Sequence, residues 1–191
     1  MEPENVILFD MDGTICNFEQ PLRASMMSLE SAGEKHFDDF SRDKYPDYIK
    51  ARRDLILSRA SWWASLPKFE LGMDIWEWAI ANDYQTMILT QGSKRNPKSW
   101  MGKKMWIDKN LGTDVDVTIT RDKGLVYGKV FVDDYPIYIE RWLRWRPRSL
   151  VIMPAHKYNE GFVHPQVIRY DGNNFGEVSR SIKSIMKGES T

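Results

Sequence analysis

The chain has 191 residues, enough for one domain with a sizeable core and a small insertion. Its 27 Lys and Arg balance 27 Asp and Glu, so no overall field favours nucleic acid or an anionic membrane. The one cysteine, Cys16, excludes an internal disulfide and suggests a reducing compartment. The opening Met1-Glu2-Pro3-Glu4-Asn5 does not read as a signal peptide, and no apolar run approaches a membrane span. A soluble, cytoplasmic protein is expected.

Val6-Ile7-Leu8-Phe9 is a continuous apolar run, the pattern of a strand buried on both faces of a parallel sheet. From Phe18 the apolar positions Phe18, Leu22, Met26 and Leu29 recur near helical spacing, and Gly33 is a stop signal. Residues 34–44 are polar and charged, with Phe37 and Phe40 as anchors. A second helix is expected from about Pro46 to Ser58, followed by Trp62 and Trp63. No strand is read between Phe18 and Leu66, so residues 17–66 are expected to form a small helical cap. Residues 1–16 and 67–191 are expected to form an α/β core.

The α/β alternation resumes with a helix over about 72–82 and the strand Thr86-Met87-Ile88-Leu89, which ends on Thr90. Asn96-Pro97 is an N-cap followed by a first-turn proline and starts a helix running to about Gly112. Val115–Ile119 alternates apolar and polar residues, so it is expected to border the sheet with one wet face. Lys129–Val132 is a strand ending in Asp133-Asp134. A helix over 136–145, a strand over 150–153, a candidate short strand over 167–170 and a helix over about 174–186 complete the chain. This order predicts a doubly wound, Rossmann-like parallel sheet of about five strands, with the cap inserted after the first.

Open sheets of this kind bind ligands at the carboxyl ends of their strands. The first strand ends in Asp10-Met11-Asp12-Gly13-Thr14, the second in Thr90, and the fourth in Asp133-Asp134. Paired carboxylates without a basic neighbour repel unless a cation joins them, and Mg²⁺ takes oxygen ligands of this kind. A carboxylate can also attack phosphorus. Phosphoryl transfer needs a nucleophile, a charge-neutralising metal, donors for the phosphate oxygens and an acid for the leaving group. Asp10 suits the first, Asp10 and Asp133 the second, Thr90 with Lys103 or Lys123 the third, and Asp12 the fourth.

These motifs resemble those of the haloacid dehalogenase superfamily. Within it, the segment from Asp10 to Phe18-Glu19, the spacing of Lys103 and Trp106, and Thr120-Arg121-Asp122-Lys123 resemble the 5′(3′)-deoxyribonucleotidases. The resemblance implies a Mg²⁺-dependent 5′-nucleotidase acting on deoxyribonucleoside monophosphates through an aspartyl-phosphate. Asp10 would be nucleophile and metal ligand. Asp12 would be general acid/base and give the metal its backbone carbonyl. Asp133 would be the second carboxylate on the metal, and Asp134 would assist through water. Thr90, Gln91 and Lys103 would hold the phosphate. Phe18, Trp62, Trp63, Arg121 and Lys123 would contact the rest of the substrate. Gln91 stands where the family commonly has Ser. The resemblance leaves a homodimer open. The rival readings are a phosphatase for another small phosphometabolite or for a nucleic-acid end, and a non-catalytic nucleotide-binding regulator.

Three further features have ordinary explanations. The basic run Arg141, Arg144, Arg146 and Arg148 reads as a solvated helix face. His36, His156 and His164 lack ligand spacing for zinc, and Cys16 reads as an inert buried thiol.

Overall fold

A computed structural model describes residues 5–40 and 44–188. The opening pentapeptide except Asn5, and residues 41–43 of the polar stretch, lie outside the described residues. The strands are β1 (Val6–Phe9), β2 (Gln85–Thr90), β3 (Val117–Ile119), β4 (Val130–Val132), β5 (Leu150–Pro154) and β6 (Val167–Tyr170). The α-helices are α1 (Glu19–Met27), α2 (Asp47–Leu57), α3 (Ala60–Ala64), α4 (Glu70–Ala81), α5 (Pro97–Asn110), α6 (Pro136–Leu143) and α7 (Phe175–Lys187).

The six strands form one sheet in the order β3-β2-β1-β4-β5-β6, and every neighbouring pair is parallel. The count exceeds the expected five because the short segment at 167–170 pairs fully with β5, from Val151↔Val167 to Pro154↔Tyr170. β1 and β4 lie inside the sheet and are buried along their whole length, as unbroken apolar runs require. β3, with its alternating pattern, lies at one edge and is only half-buried. The reversal of strand order next to β1 is the topological switch point, where ligands of open α/β sheets bind.

The chain divides into two compact units. One contains residues 1–16, 68–91 and 114–191, and therefore all six strands. The other contains 17–67 together with 92–113, so α5 groups with α1, α2 and α3 although it lies between β2 and β3 in the chain. The reason for this grouping is Gly102. A Cβ there would stand 2.4 Å from the Ala60 carbonyl oxygen and 2.5 Å from Trp63 Cβ, so only glycine lets α5 lie this close to α3. Trp106 completes the contact, its ring buried and its indole N–H donating to the Leu66 carbonyl at 2.6 Å.

Among the described residues no helix is long and apolar enough to cross a membrane. The expected solvated helix face holds for Arg141 alone: Arg144 and Arg148 are exposed but lie beyond the end of α6, and Arg146 is buried. Its guanidinium is buried over the Trp142 ring and donates to the carbonyls of Trp142, Gly124 and Val126 at 2.6–2.9 Å. It therefore ties α6 to the turn that follows β3.

Candidate active site at the carboxyl edge of the sheet

Asp10 is the first residue after β1, and its backbone N–H donates to Val132 O at 2.8 Å, continuing the sheet by one bond. The chain then reverses at once. The N–H groups of Thr14, Ile15 and Cys16 all point to the carbonyl of Met11, at 3.2, 3.0 and 2.9 Å. Gly13 makes the reversal possible with φ of +83°, a conformation glycine adopts without steric cost. The turn brings the Thr14 hydroxyl to Asp134, where it donates to Oδ1 at 2.8 Å.

Asp133 and Asp134 follow β4, the parallel neighbour of β1. The two adjacent strands thus deliver three buried carboxylates to one place. One oxygen from each of Asp10, Asp133 and Asp134 lies within 4.8 Å of the others. Two oxygens on opposite sides of a Mg²⁺ ion, each at about 2.1 Å, would be about 4.2 Å apart. Among the described residues this is the group able to hold a metal through its side chains, and Asp12 is outside it. Asp12 is half-buried and accepts the Cys16 thiol at 3.7 Å, so Cys16 is buried as expected but touches the site.

Lys123 stands among the carboxylates. Its ammonium is 2.7 Å from Asp10 Oδ1 and 2.6 Å from Asp133 Oδ2, and its side chain is 2 % exposed. The other oxygen of Asp133 accepts the Tyr135 N–H at 2.8 Å. Burial pulls the lysine down, but the charges of Asp10 and Asp133 outweigh it and leave Lys123 above its ordinary value. Burial pushes the Asp133 carboxyl up to about 8; Lys123 opposes the rise, while Asp10 and Asp134 add to it. Burial also pushes Asp134 up to about 6, with Asp10 adding and the bonds from Tyr158 and Thr14 opposing. Three carboxylates against one ammonium leave two surplus negative charges when all are ionised. A divalent cation with oxygen ligands fits that deficit and that donor set.

The chain is similar in fold to solved hydrolases over most of its length. A Burkholderia xenovorans LB400 protein named "putative haloacid dehalogenase-like hydrolase" matches with a TM-score of 0.58 and 18% identity, covering 94% of this chain and 98% of that one. A haloacid dehalogenase-type hydrolase of family IA, variant 3, from Entamoeba histolytica matches with a TM-score of 0.52 and 13% identity, covering 96% and 99%. The fold is that of the haloacid dehalogenase-like hydrolases. No protein-family model matches the chain. Proteins of Bordetella pertussis and Bordetella bronchiseptica, each named "Putative 5′(3′)-deoxyribonucleotidase", are 23% identical over 139 residues, 69% of this chain and 75% of theirs.

The other residues singled out in the sequence fall into two groups on this haloacid dehalogenase-like fold. Thr90, Gln91 and Arg121 lie in the unit that carries the sheet. Thr90 is buried at the end of β2, where its carbonyl accepts the Thr120 N–H at 3.0 Å. Gln91 is held at both ends of its amide. Nε2 donates to the exposed Arg121's carbonyl at 3.3 Å, and Oε1 accepts the Tyr138 hydroxyl at 3.0 Å. Lys103, Phe18, Trp62 and Trp63 lie in the other unit. There Phe18 stacks on Trp63 with centroids 5.4 Å apart and meets Trp62 edge-on at 5.6 Å. The buried Lys103 ammonium lies 5.4 Å from the Trp63 ring centre. Trp63 is buried and donates to the Leu57 carbonyl, while Trp62 is half-buried and donates to the Ser25 hydroxyl.

Sequence reasoning missed Tyr138, His156 and Tyr158. The Tyr138 ring covers the Lys123 ammonium at 4.9 Å. His156 Nε2 lies 2.6 Å from the Gly13 carbonyl, and the Tyr158 hydroxyl donates to Asp134 Oδ2. The signal was available for the last two, because both follow β5 at the same sheet edge as the aspartates.

Proposed function

We propose that this protein is a Mg²⁺-dependent phosphomonoesterase, a 5′-nucleotidase hydrolysing deoxyribonucleoside monophosphates to nucleoside and phosphate. The observation that carries the reading is the convergence of Asp10 with Asp133, Asp134 and Lys123 at the ends of two adjacent parallel strands. The names of the Bordetella relatives support the nucleotide class.

In this reading a carboxylate oxygen of Asp10 attacks phosphorus and forms a phosphoanhydride bond as the ester P–O bond breaks. Asp12 gives its proton to the departing nucleoside oxygen, then takes one from the water that hydrolyses the aspartyl-phosphate. Asp10, Asp133, Asp134 and the Asp12 carbonyl would hold Mg²⁺, which would supply the positive charge that offsets the phosphoryl oxygens. Thr90 supplies a hydroxyl to those oxygens, and Lys123, fixed against Asp10, supplies a positive charge. Lys103 stays a candidate for the phosphate on the resemblance alone. Phe18, Trp62, Trp63 and Arg121 are assigned to the nucleoside part. Gln91 replaces a small hydroxyl side chain, and its amide, held by Tyr138 and the Arg121 backbone, serves as a spacer in this reading.

The test is a panel of 5′- and 3′-nucleotides, sugar phosphates and 5′-phosphorylated oligonucleotides, each assayed with Mg²⁺ and with chelator. Mg²⁺-dependent release of phosphate from deoxyribonucleoside monophosphates, abolished by Asp10→Asn, is the expected result. Preference for a sugar phosphate or an oligonucleotide end would replace the substrate and keep the chemistry. Binding without turnover would make the protein a regulator.

A further inference from the structure

The loop after β5 reaches the carboxylate cluster at three points. Asp134 accepts at both of its oxygens, from the Thr14 hydroxyl at Oδ1 and from the Tyr158 hydroxyl at Oδ2. Its backbone carbonyl accepts the side-chain amide of Asn159 at 3.0 Å, and that buried amide also donates to the Pro154 carbonyl at 2.9 Å. The Asn159 side-chain oxygen accepts the His156 backbone N–H at 2.9 Å, which closes the loop on itself. His156 in turn lies 2.6 Å from the Gly13 carbonyl through Nε2. A carbonyl can only accept, so Nε2 carries the hydrogen.

The rings in this loop are fixed as well. His156 is stacked between Phe69 and Tyr158, with centroids 4.7 Å away on each side and interplanar angles of 14° and 11°. Both donors therefore have little rotational freedom. Each Asp134 oxygen has two lone-pair directions. One bond to each from the protein orients the carboxylate and leaves the remaining directions for a cation or its water.

We propose that Tyr158 and His156 are positioning residues of the cation site, Tyr158 orienting Asp134 and His156 fixing the turn between Asp10 and Thr14. The proposal rests on the metal-dependent reading above. Partners that orient metal-ligating groups matter because a misdirected ligand loses affinity; their removal typically costs about 10–100-fold in metal affinity or activity.

The experiment measures Mn²⁺ binding to the purified full chain from the free-ion resonance signal, with Mn²⁺ as the probe for an oxygen-ligand site. Tyr158→Phe keeps the ring and its stacking but loses the hydroxyl. His156→Phe keeps the stack but loses Nε2–H, and His156→Gln restores an N–H donor. Mn²⁺ affinity is expected to fall roughly tenfold or more in Tyr158→Phe and to fall in His156→Phe, with recovery in His156→Gln. The Mg²⁺ concentration for half-maximal phosphatase activity should rise in parallel, with kcat at saturating Mg²⁺ changed much less. Lys157→Ala, an exposed change in the same loop, should match the wild type. Folded Tyr158→Phe and His156→Phe proteins whose Mn²⁺ affinity stays within twofold of the wild type would overturn the proposal alone. A wild-type chain that binds no Mn²⁺ would overturn both this assignment and the metal-dependent reading.

Discussion

Gly13 lies against Asp134 so closely that a Cβ on it would stand 2.6 Å from Asp134 Oδ2. The same residue has φ of +83°. Two independent constraints therefore require glycine at this one position. Gly13→Ala must either displace the carboxylate or flatten the turn. The left-handed conformation alone costs an alanine roughly 1–2 kcal/mol. Denaturant unfolding should show at least that loss, and Mn²⁺ affinity should fall with it. A fully stable variant with unchanged metal binding would mean that the turn relaxes freely.

Lys123 bridges Asp10 and Asp133, its ammonium 2.7 and 2.6 Å from their carboxylate oxygens. Lys123→Met removes it and leaves buried carboxylates facing one another. Breaking a buried ion pair on one side costs about 3–5 kcal/mol. Chemical denaturation of the metal-free variant should show a loss of that order, and added Mg²⁺ should recover part of it. Hydrolysis should fall as well, because the charge beside the nucleophile is gone.

Arg146 acts at a distance from the carboxylates, through the turn that carries Lys123. It bonds the carbonyls of Gly124 and Val126, while Asp122 caps the Gly124 N–H at 3.0 Å and pairs with Arg141. Arg146→Leu should destabilise the fold by on the order of 3 kcal/mol, since several charge-assisted bonds are lost together. Arg146→Lys should recover little, because an ammonium cannot reproduce the planar fork that reaches carbonyls on two elements. Comparing the two unfolding midpoints decides the point.

The raised carboxyls make a pH prediction with a definite sign. Asp134 is pushed up to about 6 and Asp133 to about 8, chiefly by burial, against about 3.9 for an ordinary Asp. Each group then holds a proton more tightly folded than unfolded. The metal-free protein should be most stable below about pH 4 with respect to these two groups. It should lose that contribution as pH rises toward 6 and then 8. The stabilisation added by Mg²⁺ should change in the opposite direction, because the cation requires the deprotonated forms. Melting scans at pH 5 and pH 8, with chelator and with Mg²⁺, should therefore diverge. A drop of several degrees without metal at pH 8 is expected, at roughly 2–4 °C per kcal/mol for a chain of this size.

Phe18 is half-buried and packs on both Trp62 and Trp63. If it serves the nucleoside, Phe18→Ala should reduce kcat/KM for deoxyribonucleotides by about tenfold or more, since stacking on a base is worth about 1–3 kcal/mol. Turnover of a small phosphoester such as p-nitrophenyl phosphate should change far less. Equal losses on both substrates would assign Phe18 to packing alone.

Much of the fold is legible in the residues. The apolar runs at 6–9 and 130–132 are buried strands because both faces of a central parallel strand are covered, and periodicity reports that locally. The aspartates and Thr90 could be singled out because a strand-ending polar residue lies at the ligand edge of any open α/β sheet. The short β6 and the placement of Arg146 were less legible. The first depends on pairing with β5, and the second on carbonyls about twenty residues away in the chain.

By itself, then, the sequence determined which residue types stand at the strand ends, because local pattern sets where each strand stops. Only the tertiary structure decided that Lys123 stands between Asp10 and Asp133. It also decided that Gln91 is held by Tyr138 and that Tyr158 reaches Asp134. These relations join parts of the chain that composition and spacing treat as independent. They exist because the parallel pairing of β1 with β4, and of β4 with β5, brings the loops after those strands to one edge.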